Sequence, residues 1–436
     1  MRLTAMSTTA AHPPMMTLDE ALQRLTSAAA QHRLQAQEAV PTAQALGRVL
    51  ASPVQSTLDV PPADNSAMDG YAVRFADLLP GAYGAAVLPI SQRIAAGAPG
   101  QPLVPGTAAR IFTGAQVPAG ADTVLMQEIC EALPAAVDVA GDVARVRISL
   151  AAQPKLGQAI RRRGEDVAIG ATVLRAGTRL TPQALGLAAA VGLAELPVLR
   201  RPRVALFSTG DELAMPGEPL KPGAIYNSNR FTLRALLQAA GCEVQDLGIV
   251  PDRLDATRAA LRTAAHDADL IVTSGGVSVG EEDHLRPAAQ AEGRLDLWQI
   301  AIKPGKPLAF GAIRRGDDDA SGEALFIGLP GNPVSSFVTF LVTVAPVLRA
   351  LQGMPATLPQ SLPLRAAFDW PRADKRREFL RVQITPEGEL VLFDNQGSGV
   401  LTSTVWADGL VDNPAGRAIV RGDTVRFLPL ANLIAA

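Results

Sequence analysis

Apolar residues recur every three to four positions from residue 18 to 31, in "LDEALQRLTSAAAQ", and this period predicts an amphipathic helix. Thr17 stands directly before the run and Glu20 follows three residues later, which predicts a capping box at the helix start. A second short helix is predicted over 42–50, in "TAQALGRVL". Residues 1–15 show no such period and are expected to form a flexible tail.

The pattern changes near residue 61. From there to about residue 157, short apolar runs alternate with Gly and Pro, which predicts a small all-β module. Helical periodicity returns in "TPQALGLAAAVGL", where Thr181 is the expected N-cap and Pro182 the first helical residue.

Strand-like and helix-like runs alternate from residue 203 to about 352, which predicts a parallel sheet covered by helices on both faces. In such sheets, ligands bind beyond the carboxyl ends of the strands. The segment 357–436 contains the short apolar runs "EFLRVQIT", "ELVLFD", "RAIVRG" and "TVRFLPL". These runs predict a small β-barrel or sandwich at the end of the chain.

Composition narrows the class of function. The 436 residues suffice for about three domains, while the net charge of −2 and the 4% aromatic content argue against nucleic acid or a membrane surface as the partner. Two cysteines and four histidines make a thiolate or imidazole zinc site improbable. The longest apolar stretch, "FVTFLVTVAPVL", is too short to span a bilayer. A soluble, cytoplasmic protein with reduced thiols is therefore expected.

Polar residues follow several of the predicted strands in the 203–352 segment. They are the segment 208–212 ("STGDE"), Thr273 with Ser274, the lysines of "KPGKP", and the turn "LPGNP". In a parallel sheet these ends meet at one rim, where backbone N–H groups, helix N-termini and lysines bind phosphate. Carboxylates beside a phosphate are explained by Mg²⁺, which prefers oxygen ligands from one or two carboxylates and from the phosphate.

Each of these segments also has an interpretation without a ligand. A Gly-Gly turn can serve only to turn the chain, "EED" at 281–283 suits the start of any helix, and "KPGKP" can be a solvated turn. The upstream segments 61–74 ("PPADNSAMDGYAVR") and 161–167 ("RRRGEDV") can likewise be charged turns. The convergence of several such turns at adjacent strand ends favours a binding site.

Seven segments occur in a fixed order along the chain: "PPADNSAMDGYAVR", "IFTGAQVPAGADTVLMQE", "RRRGEDV", "STGDEL", "TSGGVSVGEED", "IKPGKPLAFG" and "LPGNPVSS". This ordered set resembles the molybdopterin molybdenumtransferases, which in turn resemble the E domain of gephyrin. The resemblance implies a multidomain α/β plus β fold. Its expected parts are a tail (1–15), a discontinuous N-terminal helical domain (16–60 and 160–200), an inserted β domain (61–159), a three-layer molybdopterin-binding α/β domain (201–353) and a C-terminal β-barrel (354–436).

The resemblance also implies a reaction. Molybdenum from molybdate is inserted into adenylylated molybdopterin, AMP is released, and Mg²⁺ serves as the metal. A homodimer is implied, with the molybdopterin adenylyltransferase as a candidate partner. The sequence shows neither a Ser-His-Asp set nor a Cys nucleophile, so metal-assisted P–O cleavage without a covalent enzyme intermediate is expected.

Site residues follow from the resemblance, position by position. The implied catalytic residues are Asp64, Asp69, Thr113, Asp166, Glu212 and Asp283. The implied substrate-binding residues are Ser208, Thr209, Gly210, Ser274, Gly275, Gly276, Ser278, Lys303, Lys306, Pro330, Asn332, Pro333 and Ser398. The implied Mg²⁺ ligands are Glu212, Asp283 and Asp252. Family members often have Arg where Pro251 stands and an acid where Arg253 stands, so the role of Asp252 stays open, and His284 is expected to be solvated.

Two other functions remain open at this point. The α/β segment alone also resembles molybdopterin adenylyltransferase, although the long N-terminal half and the β tail argue against that activity. A scaffold protein that keeps the fold without catalysis is the second alternative, and the retained acidic residues argue against it.

Overall fold

The computed structural model describes residues 15–78, 84–135, 142–277, 284–316 and 322–435. Their α-helices are α1 (Leu18–Gln31), α2 (Pro182–Ala190), α3 (Ser228–Ala239), α4 (Leu254–Asp267), α5 (Leu285–Glu292), α6 (Pro333–Thr339), α7 (Ala345–Leu351), α8 (Thr402–Trp406) and α9 (Leu430–Ala435). A π-helical turn, Phe340–Val344, joins α6 to α7.

The β-strands of the same residues are β1 (Gln37–Pro41), β2 (Val54–Gln55), β3 (Asn65–Ser66), β4 (Gly70–Val73), β5 (Ala85–Ile94), β6 (Ala108–Ile111), β7 (Thr123–Met126), β8 (Cys130–Leu133), β9 (Arg145–Ser149), β10 (Ile160–Arg161), β11 (Thr172–Leu174), β12 (Glu195–Leu199), β13 (Arg203–Thr209), β14 (Leu213–Ala214), β15 (Ile225–Tyr226), β16 (Glu243–Val250), β17 (Leu270–Ser274), β18 (Gly293–Gln299), β19 (Ile302–Lys303), β20 (Pro307–Arg314), β21 (Glu323–Leu329), β22 (Leu362–Arg365), β23 (Arg377–Ile384), β24 (Leu390–Leu392), β25 (Gly409–Asn413) and β26 (Thr424–Pro429).

Local sequence signals placed two helix starts correctly. Thr17 and Glu20 form the predicted capping box of α1, and Thr181 caps α2 with Pro182 in its first turn. The second short helix predicted over 42–50 is wrong, because only a 3₁₀ turn at Thr42–Gln44 forms there. Gly47 then adopts a positive φ of 73°, which ends any helical path.

Contacts divide the chain into two units. The first contains residues up to 38, residues 47–49 and the chain from 198 onwards, and the second contains residues 39–46 and 50–197. Helix α1 belongs to the first unit and packs on α7. The finer division into four domains that the sequence suggested stays a prediction.

The main sheet of the first unit has the strand order β16-β13-β17-β21-β20-β18. The first four strands are parallel, as predicted, but β20 and β18 run antiparallel to their neighbours, so the prediction of an all-parallel sheet is wrong. Strands β20 and β21 pair directly without a crossover helix between them, and that connection requires antiparallel strands. As a result, the start of β20 lies at the same rim as the carboxyl ends of the parallel strands.

Helices cover both faces of this sheet, as predicted. Along β13, Val204 and Leu206 point into a core that also contains residues of α1, α3, α6 and α7. Ala205 and Phe207 point into the opposite core, which contains residues of α4 and α5. The alternation follows the two-residue period of a strand, and it makes the domain three-layered.

The continuous helical segment Pro333–Leu351 is the one helix among the described residues that is long and apolar enough to cross a membrane by length and composition. The argument that its apolar stretch is too short is therefore wrong. An 18-residue stretch of this segment is entirely buried inside the protein, which is the environment of a core helix.

The end of the first unit forms a second sheet, with the order β19-β23-β25-β26-β22 and with β24 paired to β23. The run "RAIVRG" predicted as a strand is not one, and β25 takes its place in the sheet. In the second unit, a six-stranded sheet has the order β7-β4-β6-β5-β9-β8, which agrees with the predicted all-β module. Neither Cys130 nor Cys242 forms a disulfide bond.

Candidate functional site

A cleft of about 710 Å³ lies in the first unit, at the rim where β13, β17 and β21 end and β20 begins. The loop at 396–398 completes its wall. Most residues that the sequence proposed for substrate or metal binding line this cleft. They are Thr209, Gly210, Glu212, Asp252, Ser274, Gly275, Gly276, Lys303, Lys306, Pro330, Asn332 and Ser398.

Other proposed residues lie elsewhere. Ser208 is fully buried under the rim, where its hydroxyl is 3.1 Å from that of Ser274. Pro333 begins α6 behind Asn332. Ser278 and Asp283 lie outside the described residues, so their proposed roles stay predictions, and the half-buried His284 directly precedes α5.

The loop after β17 approaches the end of β13 very closely. Gly275 has a φ of +90°, and a Cβ on it would lie 2.5 Å from the carbonyl oxygen of Thr209. Its N–H donates to the carbonyl oxygen of Leu329 at 3.2 Å. This N–H is therefore already bonded within the protein, and the proposed role of Gly275 in substrate binding stays a prediction. Glycine is needed at this position for the close packing of the loop, and any backbone cradle must use later N–H groups.

Two buried polar atoms at the cleft have no hydrogen-bond partner among the residues that the structure describes. They are Oγ1 of Thr209, a residue that is 4% exposed, and Nδ2 of Asn227, a residue that is 2% exposed. The other amide atom of Asn227 accepts the N–H of Arg230 and caps α3. A buried polar atom without a partner is costly, so both atoms are expected to bind a ligand. Asn227 escaped the sequence analysis because its position before a helix is explained by capping alone.

Three cations face the cleft: Lys303, Lys306 and Arg376. The Nζ of Lys303 lies 3.0 Å from Glu378 and 3.3 Å from Asp374. Burial lowers the pKa of Lys303, but its bonds to these two carboxylates outweigh that effect and raise the pKa overall, so the amine is charged. Arg376 was not recognised in the sequence, where it stands in an undistinguished charged segment.

The loop carrying Ser398 is held from behind by Arg381. Its guanidinium is fully buried and donates to the carbonyl oxygen of Gly397 at 3.2 Å and to the hydroxyl of Ser403 at 3.1 Å. Burial lowers the pKa of Arg381 to about 10, which still leaves it charged at neutral pH. Gln396 fixes the same loop through bonds to the backbone of Arg381.

The carboxylates of the cleft fit a magnesium ion only together with a substrate. Glu212 and Asp252 both line the cleft, and Asp211 accepts the N–H of Asp252 at 3.1 Å. In the part of the chain that the structure describes, no group of three or more His, Cys, Asp or Glu residues could hold a metal ion. Two carboxylate donors suit Mg²⁺, which usually completes its six ligands with water and substrate phosphate oxygens.

In the second unit, two of the proposed acidic residues, Asp69 and Asp64, form hydrogen bonds to residues far away in the chain. Asp69 accepts both the N–H and the hydroxyl of Thr113, at 2.8 and 2.7 Å. Asp64 accepts the N–H of Arg163 and the guanidinium of Arg162. Asp166 is exposed in the same segment as these arginines. The contribution of these residues to catalysis stays a prediction.

The chain is similar to known proteins over almost its whole length. It is 39% identical over 431 residues to a molybdopterin molybdenumtransferase from Haemophilus influenzae, and the match covers 96% of this chain and all of that protein. The chain belongs to the molybdopterin molybdenumtransferase family. A second member, from Mycobacterium tuberculosis, is 41% identical over 386 residues, with 86% of this chain and 90% of that protein covered.

Three family models match successive parts of the chain. The MoeA N-terminal region (domains I and II) matches residues 16–192, the probable molybdopterin-binding domain matches 205–350, and the MoeA C-terminal region (domain IV) matches 363–430. A crystal structure of a molybdopterin biosynthesis MoeA protein from Pyrococcus horikoshii, 27% identical, superposes with a TM-score of 0.79 over 95% of this chain and 99% of the other. The predicted family and multidomain fold are confirmed, and the cleft lies in the molybdopterin-binding and C-terminal regions.

The contact between Asp69 and Thr113 predicts a measurable decrease in the pKa of Asp69. The N–H of Thr113, and then its hydroxyl, hold the pKa of Asp69 below its usual value. A depressed pKa stabilises the folded unit above the unfolded-state pKa of about 3.9, and this contribution is lost as the pH falls through the lower folded-state pKa. Carboxyl-carbon NMR should therefore place the Asp69 midpoint below that value. Thr113→Val should raise the midpoint partway, since the N–H bond remains, whereas Thr107→Val, directly before β6, should not change it.

Proposed function

We propose that this protein acts in molybdenum cofactor biosynthesis by inserting molybdenum from molybdate into adenylylated molybdopterin, with release of AMP. The observation that carries the proposal is the near-complete match to proteins named molybdopterin molybdenumtransferase. The cleft supports it independently, because it combines cations, unpartnered hydrogen-bond donors and carboxylates at one rim.

The pterin substrate of this reaction carries a pyrophosphate linkage, and the second substrate is molybdate, a dianion. Lys303, Lys306 and Arg376 offer positive charge and N–H donors to these anions. Thr209 and Asn227 add two donors that lack a partner within the described part of the chain, and they are suited to orient phosphate or pterin atoms. Fixed donors of this kind stabilise the charge that develops on phosphate oxygens as the P–O bond to AMP breaks.

We propose Glu212 and Asp252 as the residues of the cleft that would hold Mg²⁺, with Asp283 as the third predicted ligand. Bound there, the ion would neutralise charge on the phosphate oxygens of the substrate. The carboxylate of Glu212 is turned back against Gly210, where a Cβ would meet it at 2.6 Å. Glycine at position 210 therefore leaves room for that carboxylate in the cleft.

Other parts of the proposal rest on the family resemblance. They are a homodimer, a cytoplasmic location, and the molybdopterin adenylyltransferase as the enzyme that supplies the substrate. Size-exclusion chromatography with light scattering tests the first, and co-purification tests the last.

An assay with two substrate mixtures separates the proposed function from its alternatives. Adenylylated molybdopterin with Mg²⁺ and molybdate should give AMP and active cofactor. Product formed only from ATP and free molybdopterin would instead identify an adenylyltransferase. Tight binding of the pterin with no turnover in either mixture would identify a scaffold or binding protein.

A further inference from the structure

One wall of the cleft carries an array of four charged groups: Lys303, Arg376, Asp374 and Glu378. The two cations face the cleft, and the two carboxylates stand behind and between them. Neither carboxylate was singled out in the sequence. Lys306 is a further cation of the cleft outside this array. The four-residue array determines which charges and which donors an incoming anion meets at this wall.

Glu378 is built into the protein as a fixed counter-ion. It is 1% exposed, and one carboxylate oxygen accepts the Lys303 ammonium while the other accepts the indole N–H of Trp370 at 2.9 Å. Backbone pairing between β19 and β23 places Lys303 directly opposite Glu378. A buried carboxylate is tolerated only with partners of this kind, so Lys303 is held in one position.

Asp374 joins the two cations. Its carboxylate accepts the Nε, Nη2 and backbone N–H groups of Arg376 at 2.9–3.0 Å, and it also lies 3.3 Å from the Nζ of Lys303. The side chain is 18% exposed. Arg376 is thereby clamped along one edge of its guanidinium, which leaves its Nη1 donors for a ligand. Lys303 uses two of its three ammonium protons on the carboxylates and retains one.

Two cations and two carboxylates give the array a formal charge of zero. The pKa of Asp374 is held well below its usual range, first by the bond from Arg376, so this carboxylate remains charged at any working pH. At the array itself, an arriving anion therefore meets oriented N–H donors without net positive charge from these four groups, and Lys306 supplies the additional positive charge of the cleft. Such binding depends on direction and is expected to be only moderately tight.

We propose that Asp374 and Glu378 are positioning residues that orient Lys303 and Arg376 and cancel their net charge, so that the wall binds the molybdate dianion by directed hydrogen bonds and releases it readily. The choice of molybdate rests on the proposed function. The arrangement of the array rests on the geometry alone.

Equilibrium binding of molybdate to the full chain without pterin, measured by calorimetry, tests the array directly, and sulfate serves as a second dianion. Asp374→Asn leaves an array with a charge of +1 and should tighten molybdate binding roughly tenfold at low salt. The gain should shrink as the ionic strength rises, because added salt screens the new charge. Asp369→Asn is the matched control, since Asp369 is exposed in the same region and its carboxylate accepts the backbone N–H of Arg421.

Steady-state kinetics distinguish the proposed role of Asp374 from a purely structural one. Asp374→Asn should lower both the KM for molybdate and kcat, because the charge attracts the anion while Arg376 loses its clamp. If the amide side chain of Asp374→Asn disturbs folding, Asp374→Ser provides a second test. Serine also removes the carboxylate but is smaller, and the variant should show the same decrease in the KM for molybdate and in kcat. Unchanged or weaker molybdate binding in a variant with an unchanged melting temperature would overturn the proposal.

Failure of the array proposal and failure of the proposed reaction give different results in these experiments. If the wild-type chain released no AMP but Asp374→Asn still tightened dianion binding with a steeper salt dependence, the account of the array would stand and the proposed reaction would fail. If AMP were released normally while the variant bound dianions as the wild type does, the array proposal would fail alone.

Discussion

Glu212→Gln should lower the rate of AMP release from adenylylated molybdopterin by roughly 10²–10³-fold at saturating Mg²⁺. Metal ions contribute several kcal/mol of charge stabilisation in such reactions, and each 1.36 kcal/mol is about tenfold in rate. Glutamine keeps the size of the side chain beside Gly210 but removes its charge. The fold should not change, because the side chain lies at the open cleft and not in a core. Quench-flow measurement of AMP gives the rate.

A control for this variant lies six residues away in the chain. Glu218 is exposed, and its carboxylate accepts the N–H of Met215 while its backbone carbonyl oxygen accepts the hydroxyl of Tyr226. Glu218→Gln keeps the backbone contact and should keep the wild-type rate. The Mg²⁺ concentration for half-maximal rate should rise in the Glu212 variant and stay constant in the control. A Glu212→Gln enzyme with wild-type rate and wild-type Mg²⁺ dependence would exclude Glu212 as a metal ligand.

Gly275→Ala should both destabilise the protein and abolish ligand binding at the cleft. The added Cβ would lie 2.5 Å from the carbonyl oxygen of Thr209, and the φ of +90° is strained for any residue with a side chain. Together the strain and the clash should lower the free energy of unfolding by about 2–4 kcal/mol. The loop must also move away from β13, and that movement displaces Gly276 and the donors that follow it.

Gly223→Ala is the control that separates the effect of backbone strain from that of the steric clash at Gly275. Gly223 has a similar φ of +85°, but nothing lies within 4 Å of a Cβ built on it. Its substitution should cost only about 1 kcal/mol, since strain acts alone there. It should also leave substrate affinity unchanged. Equal losses of stability in the two variants, measured by urea unfolding, would show that the close approach at Gly275 has no energetic consequence.

Sequence patterns were sufficient to find most of the cleft, because its residues follow apolar strands at turns rich in glycine. Thr209, Ser274 and Asn332 were each found in this way. Lys303 and Lys306 were assigned to the same rim on the assumption of a parallel sheet. They lie there because β20 is antiparallel and begins at the rim, and alternation of strands and helices alone does not reveal that reversal.

The remaining cleft residues depend on contacts between distant segments. Glu378 meets Lys303 across 75 residues through the pairing of β19 with β23, and no local pattern marks Glu378 as the partner of that lysine. Asn227 has a complete local explanation as a helix cap, so its unpartnered amide is visible only in three dimensions. The helix predicted over 42–50 failed for a local reason, since a left-handed Gly47 outweighed the apolar period.

The central claim is tested most directly by measuring AMP release from adenylylated molybdopterin in a single turnover, with and without molybdate, in the presence of Mg²⁺. The proposed function predicts that AMP appears together with molybdenum bound to the pterin, and that omission of molybdate suppresses formation of active cofactor. Failure to release AMP and to form cofactor when molybdate and Mg²⁺ are both present would contradict the proposed function.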